Sequence, residues 1–212
     1  MSLLESIGLE EIKSYGMNGV APAVVTNNQD PEGLGRVKIR FPWLSDDNET
    51  DWVRVATLMA GTERGSFFLP DVGDEVLVAF EHGDINAPYV IGMLWNGKQK
   101  PPEKNQDGKN NIRKIRSRSG HEIVFNDDEA AGKEKVEIHT KAGHKILLDD
   151  TAGGERIEIV DKTGSNKLTI DSVRNSITME CGMQLKIKAQ TVEIEGTASL
   201  TLKSSAMLTI QG

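Results

Sequence analysis

Between Ile177 and Ile210 the chain sets apolar residues in pairs, Ile177/Met179, Leu185/Ile187, Val192/Ile194, Leu200/Leu202 and Leu208/Ile210, stepping by 8, 7, 8 and 8 residues. Two apolar residues flanking one polar residue is the period of an extended strand, whose successive side chains point to opposite faces. Each pair reads as one short strand with two inward side chains. Such a strand has one apolar stripe, no second sheet from its own chain to cover it, and two open edges, so alone it aggregates. Three copies wound about a common axis remove these difficulties together, because neighbouring chains supply the pairing and the stripes meet in a narrow interior. The ten paired residues are therefore expected to form the core of a homotrimer. The competing solution is a single-chain β-solenoid, which uses longer coils of about twenty residues throughout.

The composition of this half fits a narrow core. From Asn126 to Gly212 there is no aromatic residue, and all seven prolines lie at or before Pro102. An interior wide enough only for Val, Ile, Leu, Met and Ala has no room for a ring. A chain without proline keeps every backbone N–H for a hydrogen-bonded ladder. A longer repeat precedes the octads: Glu134-Lys135-Val136-Glu137-Ile138 through Ala142-Gly143 recurs as Glu155-Arg156-Ile157-Glu158-Ile159 through Thr163-Gly164, an offset of 155 − 134 = 21 residues. Gly120-His121-Glu122-Ile123-Val124-Phe125 is likewise matched by Gly143-His144-Lys145-Ile146-Leu147-Leu148. Residues 119–212 are read as one repetitive β-helical spike domain.

The first half is built differently. Five β-type runs, near Ala21 to Asn27, Arg36 to Phe41, Trp52 to Met59, Asp74 to Glu81 and Tyr89 to Trp95, are separated by Gly, Pro, Asn and Asp. In Arg36-Val37-Lys38-Ile39-Arg40-Phe41 the alternation is strict, with Val37, Ile39 and Phe41 on one face and three cations on the other. Five short strands in so few residues predict a small OB-fold barrel over residues 19–96. Its core and collar are expected from Val37, Ile39, Phe41, Trp43, Trp52, Val76, Val78 and Phe80. The fold class is thus all-β: a five-stranded barrel, a polar linker over 97–118, then an intertwined trimeric β-helix or β-prism.

The order of motifs in the barrel carries a resemblance. Gly35-Arg36-Val37-Lys38-Ile39-Arg40-Phe41-Pro42-Trp43 is followed by Trp52-Val53-Arg54-Val55-Ala56, by Gly65-Ser66-Phe67-Phe68-Leu69-Pro70-Asp71-Val72-Gly73-Asp74-Glu75-Val76-Leu77-Val78, by Phe80-Glu81-His82-Gly83-Asp84 and by Pro88-Tyr89-Val90-Ile91-Gly92. This resembles the baseplate central spike family of contractile injection systems: phage spikes, the VgrG proteins of type VI secretion, and spikes of extracellular injection particles. The resemblance implies a structural protein that punctures a target membrane when the particle fires. It also implies a baseplate hub protein on the N-terminal side, with residues 1–18 as its contact, and a PAAR-like tip protein at the C-terminal end. Larger family members carry hub domains ahead of the barrel, or a lysozyme domain between barrel and needle. Here only Asn96 to Arg118 fills the latter place, so peptidoglycan cleavage is not carried over.

Charge and titratable residues bear on the other readings. A formal net charge of −7 argues against a broad phosphate-binding surface. The barrel's aromatics sit among Asp46, Asp47, Glu49 and Asp51, which disfavours base stacking in a basic groove. Lys109, Arg113, Lys114, Arg116 and Arg118 form a local basic cluster read as a solvated connector. The four histidines, His82, His121, His139 and His144, show no HxH or HExxH spacing, although three-fold symmetry could gather copies of His121 or His144 about an ion. Glu134, Glu137, Glu155 and Glu158 alternate with apolar residues like the wet face of strands rather than an acid/base pair. No cofactor, metal or nucleic acid is expected. The single Cys181 rules out an internal disulfide. An acidic N-terminus without a long apolar run implies synthesis in the bacterial cytoplasm without a signal peptide, followed by assembly into a tail-like particle. The alternatives left open are an OB-fold oligonucleotide- or oligosaccharide-binding module and a tail-associated peptidoglycan hydrolase.

Overall fold

The computed structural model describes residues 17, 19–44 and 48–211; apart from Met17, the segment read as a hub contact lies outside them. Among the described residues the regular elements are fourteen β-strands and short 3-10 turns, with no α-helix. None is a helix long and apolar enough to cross a membrane. The chain divides into two compact units, residues 1–102 and 103–212.

The first unit contains β1 (Val20–Asn27), β2 (Lys38–Arg40), β3 (Arg54–Val55), β4 (Ala60–Gly61), β5 (Arg64–Gly65), β6 (Glu75–Phe80) and β7 (Pro88–Leu94). Five of these form a sheet in the order β2-β1-β6-β7-β3. Its pairings are antiparallel except that of β3 with β7. Val37 and Val53, just ahead of β2 and β3, exchange backbone hydrogen bonds of 3.0 and 2.8 Å. These bonds bring the two outer strands together, so the sheet curls into an OB-like barrel. Period-two alternation decides what lies inside. Ala21, Ala23 and Val25 on β1, Val37, Ile39 and Phe41 around β2, and Val76, Val78 and Phe80 on β6 are buried with Val53 and Val90 in one core.

The third expected strand, Trp52 to Met59, is cut to Arg54–Val55. Ala56 N–H still bonds the Val90 carbonyl at 2.7 Å. Beyond it the chain turns into the exposed β4–β5 hairpin, where Leu58 is 94% exposed and Ser66 N–H bonds the Met59 carbonyl. The chain's next partner is its own return arm rather than the barrel.

The second unit contains β8 (Ile112–Arg116), β9 (Glu122–Asn126), β10 (Lys135–His139), β11 (Lys145–Asp149), β12 (Arg156–Val160), β13 (Lys167–Asp171) and β14 (Ser176–Glu180). All seven form an antiparallel meander in sequence order. Strand β8 lies in the stretch read from sequence as a linker. Its Ile112, Lys114 and Arg116 alternate with Arg113 and Ile115, and basic side chains masked the strand period. Ile177 and Met179, read as the first octad pair, lie on β14 and pair within the chain with Ile170 and Leu168. From Cys181 to Gln211 the chain forms no strand with itself. It runs without regular structure between bends at Gly182–Met183, Gln190, Thr197–Ala198 and Ser205–Ala206. Each segment between bends holds one apolar pair.

Candidate functional site

The pairing register of the second sheet assembles a surface that no single strand suggests. Ile115, Ile123, Ile138, Ile146, Ile159, Leu168 and Met179 are successive cross-strand partners from β8 to β14. Two residues along, Arg113, Phe125, Val136, Leu148, Ile157, Ile170 and Ile177 form a second column. Residues two apart in a strand share a face, so one side of the sheet is a stripe two side chains wide and apolar except at Arg113. It is open: Ile115, Ile138, Ile159 and Ile177 are 51, 43, 49 and 70% exposed. The stripe continues beyond the sheet. Leu185, Ile187, Val192, Ile194, Leu200, Leu202, Leu208 and Ile210 are each at least half exposed.

From β8 to β13 much of the opposite face is closed within the chain. Glu122, Asp149 and Glu158 are buried by the side chains that pair with them. Arg116 meets Glu122 at 2.9 Å, with Lys114 and His139 each at 3.6 Å. Arg156 meets Asp149 at 2.8 Å and Glu158 at 3.1 Å, and Lys167 meets Glu158 at 3.1 Å. Burial alone would raise the Glu158 carboxyl, but hydrogen bonds from Lys167 and Arg156 outweigh it and leave the group below its ordinary value. Asp149 is likewise lowered: burial opposes, and the Thr151 hydroxyl and N–H with the Arg156 charge prevail. Charge is satisfied on one side and apolar area is left on the other. Apolar patches of this extent mark association surfaces.

The turns along one edge of the sheet are coupled. Gly120, Gly143 and Gly164 close the β8–β9, β10–β11 and β12–β13 turns with φ of 91°, 100° and 73°, a region that favours glycine. The Nδ1 of His121 accepts the Lys141 N–H of the next such turn at 3.3 Å. His144 Nδ1 accepts from Lys162 N–H at 3.2 Å, and Asn166 Oδ1 from Gly182 N–H at 3.3 Å. The two histidines considered for an axial ion, His121 and His144, thus hold turns together. His139 lies on the charged face beside Glu137 and Glu122.

On the barrel, Val37, Ile39, Phe41, Val76, Val78 and Phe80 are buried. Trp43 is 44% exposed, with its ring 5.4 Å from that of Phe41. Trp52 is half-buried beneath Lys38 Nζ, 5.6 Å from the ring centroid. Trp95 is 69% exposed. The groove beside Trp52 also carries Glu49, Asp51 and Glu81. Tyr89 O–H donates to Glu81 at 2.8 Å and accepts from Arg54 at 3.1 Å; the bond to Glu81 raises the phenol's pKa. These carboxylates oppose a nucleic-acid backbone. Among the described residues no group of three or more His, Cys, Asp or Glu side chains is placed to hold a metal ion.

The motifs of the first unit match an established domain: residues 21–95 fit the type VI secretion system/phage-baseplate injector OB domain. The chain carries the barrel of the VgrG-like baseplate spike family. It is 32% identical over 126 residues to the type VI secretion system spike protein VgrG3 of Vibrio cholerae serotype O1, covering 56% of this chain and 12% of that protein. It is 30% identical over 128 residues to the spike protein VgrG1a of Pseudomonas aeruginosa, covering 55% of this chain and 19% of that protein. A third relative, the actin cross-linking toxin VgrG1 of Vibrio cholerae, is 33% identical over 124 residues, which are 55% of this chain and 11% of the toxin. The chain spans less than a fifth of the length of these curated relatives. The injector OB domain accounts for the barrel, and the exposed stripe lies in the second unit, outside residues 21–95. The sequence marked the octad part of that stripe. It missed the columns of β8 to β13, although Val136/Ile138, Ile146/Leu148, Ile157/Ile159 and Leu168/Ile170 repeat the same apolar-polar-apolar pattern.

Proposed function

We propose that this protein is a structural, non-enzymatic spike at the baseplate of a phage-tail-like contractile injection system, and that it works as a homotrimer. The two-wide apolar stripe carries this reading. It runs across β8 to β14 and on through four further rungs, and ion pairs already close much of the wet face from β8 to β13. Three chains facing inward cover the stripe and supply axial neighbours to the rungs that lack them. Rigidity is then the activity. A needle held by backbone hydrogen bonds between chains bears axial load without local unfolding, and so pierces a membrane when driven forward. The barrels act as the collar toward a hub protein, and the octad end receives a PAAR-like tip. The toxin relative shares only a small part of its length, so its named activity is not extended to this chain.

Light scattering on the purified full chain tests the assembly. The expected mass is three times the monomer's 23.2 kDa, with the band persisting in detergent before boiling. A folded monomer would sink the spike reading.

A further inference from the structure

The barrel carries a groove for which the spike role has no use. It lies between the segment leading into β3 and the loop joining β6 to β7, with a volume of about 670 Å³. Among the residues lining it, Phe41 and Val53 are buried, Leu44 and Trp52 half-buried and Ile85 39% exposed, so its floor is apolar. The chain leaving the barrel does not fill it. Asn96 Nδ2 donates to Glu75 and Gln99 Nε2 to Asp74, each at 2.8 Å, which ties the departing segment to the other end of β6.

The charges around that floor are unequally matched. Lys38 is committed to Glu49 at 2.9 Å and to the Trp52 ring. Arg54 lies 5.0 Å from the centroid of the Tyr89 ring and donates to its hydroxyl at 3.1 Å. The carboxylates of Glu81 and Asp51 instead accept from neutral groups, the Tyr89 hydroxyl at 2.8 Å and the Trp52 N–H at 2.9 Å. Both residues are exposed, and among the described residues neither is ion-paired. An ionised carboxylate has about four lone-pair sites, so each keeps most of its accepting capacity. Such a groove suits a cation carried beside apolar area. Polyanions are repelled by it, and a wholly polar ligand leaves the floor uncovered. An arginine-bearing peptide meets both demands: its planar guanidinium pairs two N–H donors with a carboxylate, while an aliphatic neighbour covers the floor. Arginine and aromatic residues are also the side chains enriched where proteins bind one another.

We propose that this groove docks a partner protein through a segment that presents arginine beside an aliphatic side chain. Asp51 and Glu81 receive the guanidinium, and Phe41, Leu44 and Ile85 receive the aliphatic chain. The site belongs to a single barrel and does not depend on the trimer. Its test is fluorescence anisotropy on the full chain at low salt, with a fluorescein-labelled Pro-Leu-Arg-Pro-Leu-Arg-Pro peptide as the probe. The prolines keep the probe from adding to an open sheet edge elsewhere in the chain. Asp51→Asn with Glu81→Gln retains both hydrogen-bond acceptors and removes both charges, and is expected to weaken binding about tenfold or more. Glu193→Gln with Glu195→Gln removes the same charge from exposed sites in the second unit and is expected to leave binding within about twofold. A peptide with citrulline in place of arginine is expected not to bind. Equal loss in the two double variants would reduce the effect to net charge, and a citrulline peptide that binds as well would leave the carboxylates no role. Either result overturns the proposal, as does a wild-type chain that ignores the arginine peptide. Displacement of the peptide by chitohexaose would give the groove to a sugar and overturn it too.

Discussion

Asp30 is the most heavily used side chain of the barrel. Its carboxylate accepts the N–H groups of Glu32, Leu34 and Arg36 at 3.1, 3.0 and 3.3 Å, and the Arg36 guanidinium at 2.9 and 2.7 Å. Its side chain is nearly inaccessible to water. Together these bonds fold the loop that feeds β2, with Gly33 and Gly35 at φ of 67° and 70° supplying turns a side chain would strain. The Arg36 guanidinium, followed by the loop N–H groups, holds the carboxyl far below its ordinary value of 3.8. Because the folded value is the lower one, the clamp contributes fully above pH 3.8 and its contribution is lost as pH falls beneath it. Asp30→Asn is therefore expected to lower the urea midpoint followed by tryptophan fluorescence at pH 7. The gap to wild type should narrow below pH 3.8. A gap of constant size across that range would show that the charge is not what holds the loop. Nothing in the strand pattern flags Asp30. The legible signal is the turn chemistry of Asp30-Pro31 ahead of two glycines, which apolar alternation does not register.

At the scale of elements, alternation made most strands visible. β1, β2, β6 and β7, and the repeats that become β9 to β12, stand near their expected places. Alternation fails where a strand's partner is decided elsewhere, as when β3 gives way to the hairpin arm, or where long cations occupy its face, as in β8. The turn-to-turn clamps lay beyond a pattern reading for another reason: His121, His144 and Asn166 occupy equivalent sites with different residue types. Their common trait is a ring nitrogen or amide oxygen accepting an N–H from the next turn. If that acceptor is what matters, His144→Asn preserves the clamp and His144→Leu removes it, at a cost of about 1 kcal/mol for the lost hydrogen bond. Hydrogen exchange at the Lys162 amide reads this directly. Protection should fall in the Leu variant and hold in the Asn variant, and equal loss in both would assign the histidine a packing role instead.

For the whole molecule, the two units meet the solvent on different terms. The barrel buries its own core of alanines, valines, Ile39 and two phenylalanines, so its stability is a property of one chain. The second unit closes only its charged face and leaves its stripe open, so its stability in the proposed trimer belongs to three chains and follows mass action. That division was legible from composition, since the tryptophans, tyrosines and prolines all end before the narrow repeat begins. The exposed face itself was not, because it exists only once the register of seven strands is set. The distribution of tryptophan makes the two terms separable in one sample, for Trp43, Trp52 and Trp95 all lie in the first unit. Fluorescence therefore reports the barrel alone, while the far-ultraviolet circular dichroism of so strand-rich a second unit is dominated by the needle. On dilution over two orders of magnitude the dichroism midpoint is expected to fall as trimers dissociate, and the fluorescence midpoint to stay within error. A dichroism midpoint that does not move with concentration would mean that the stripe is not covered by sister chains, and the barrel would then be the only part of this protein resembling a spike.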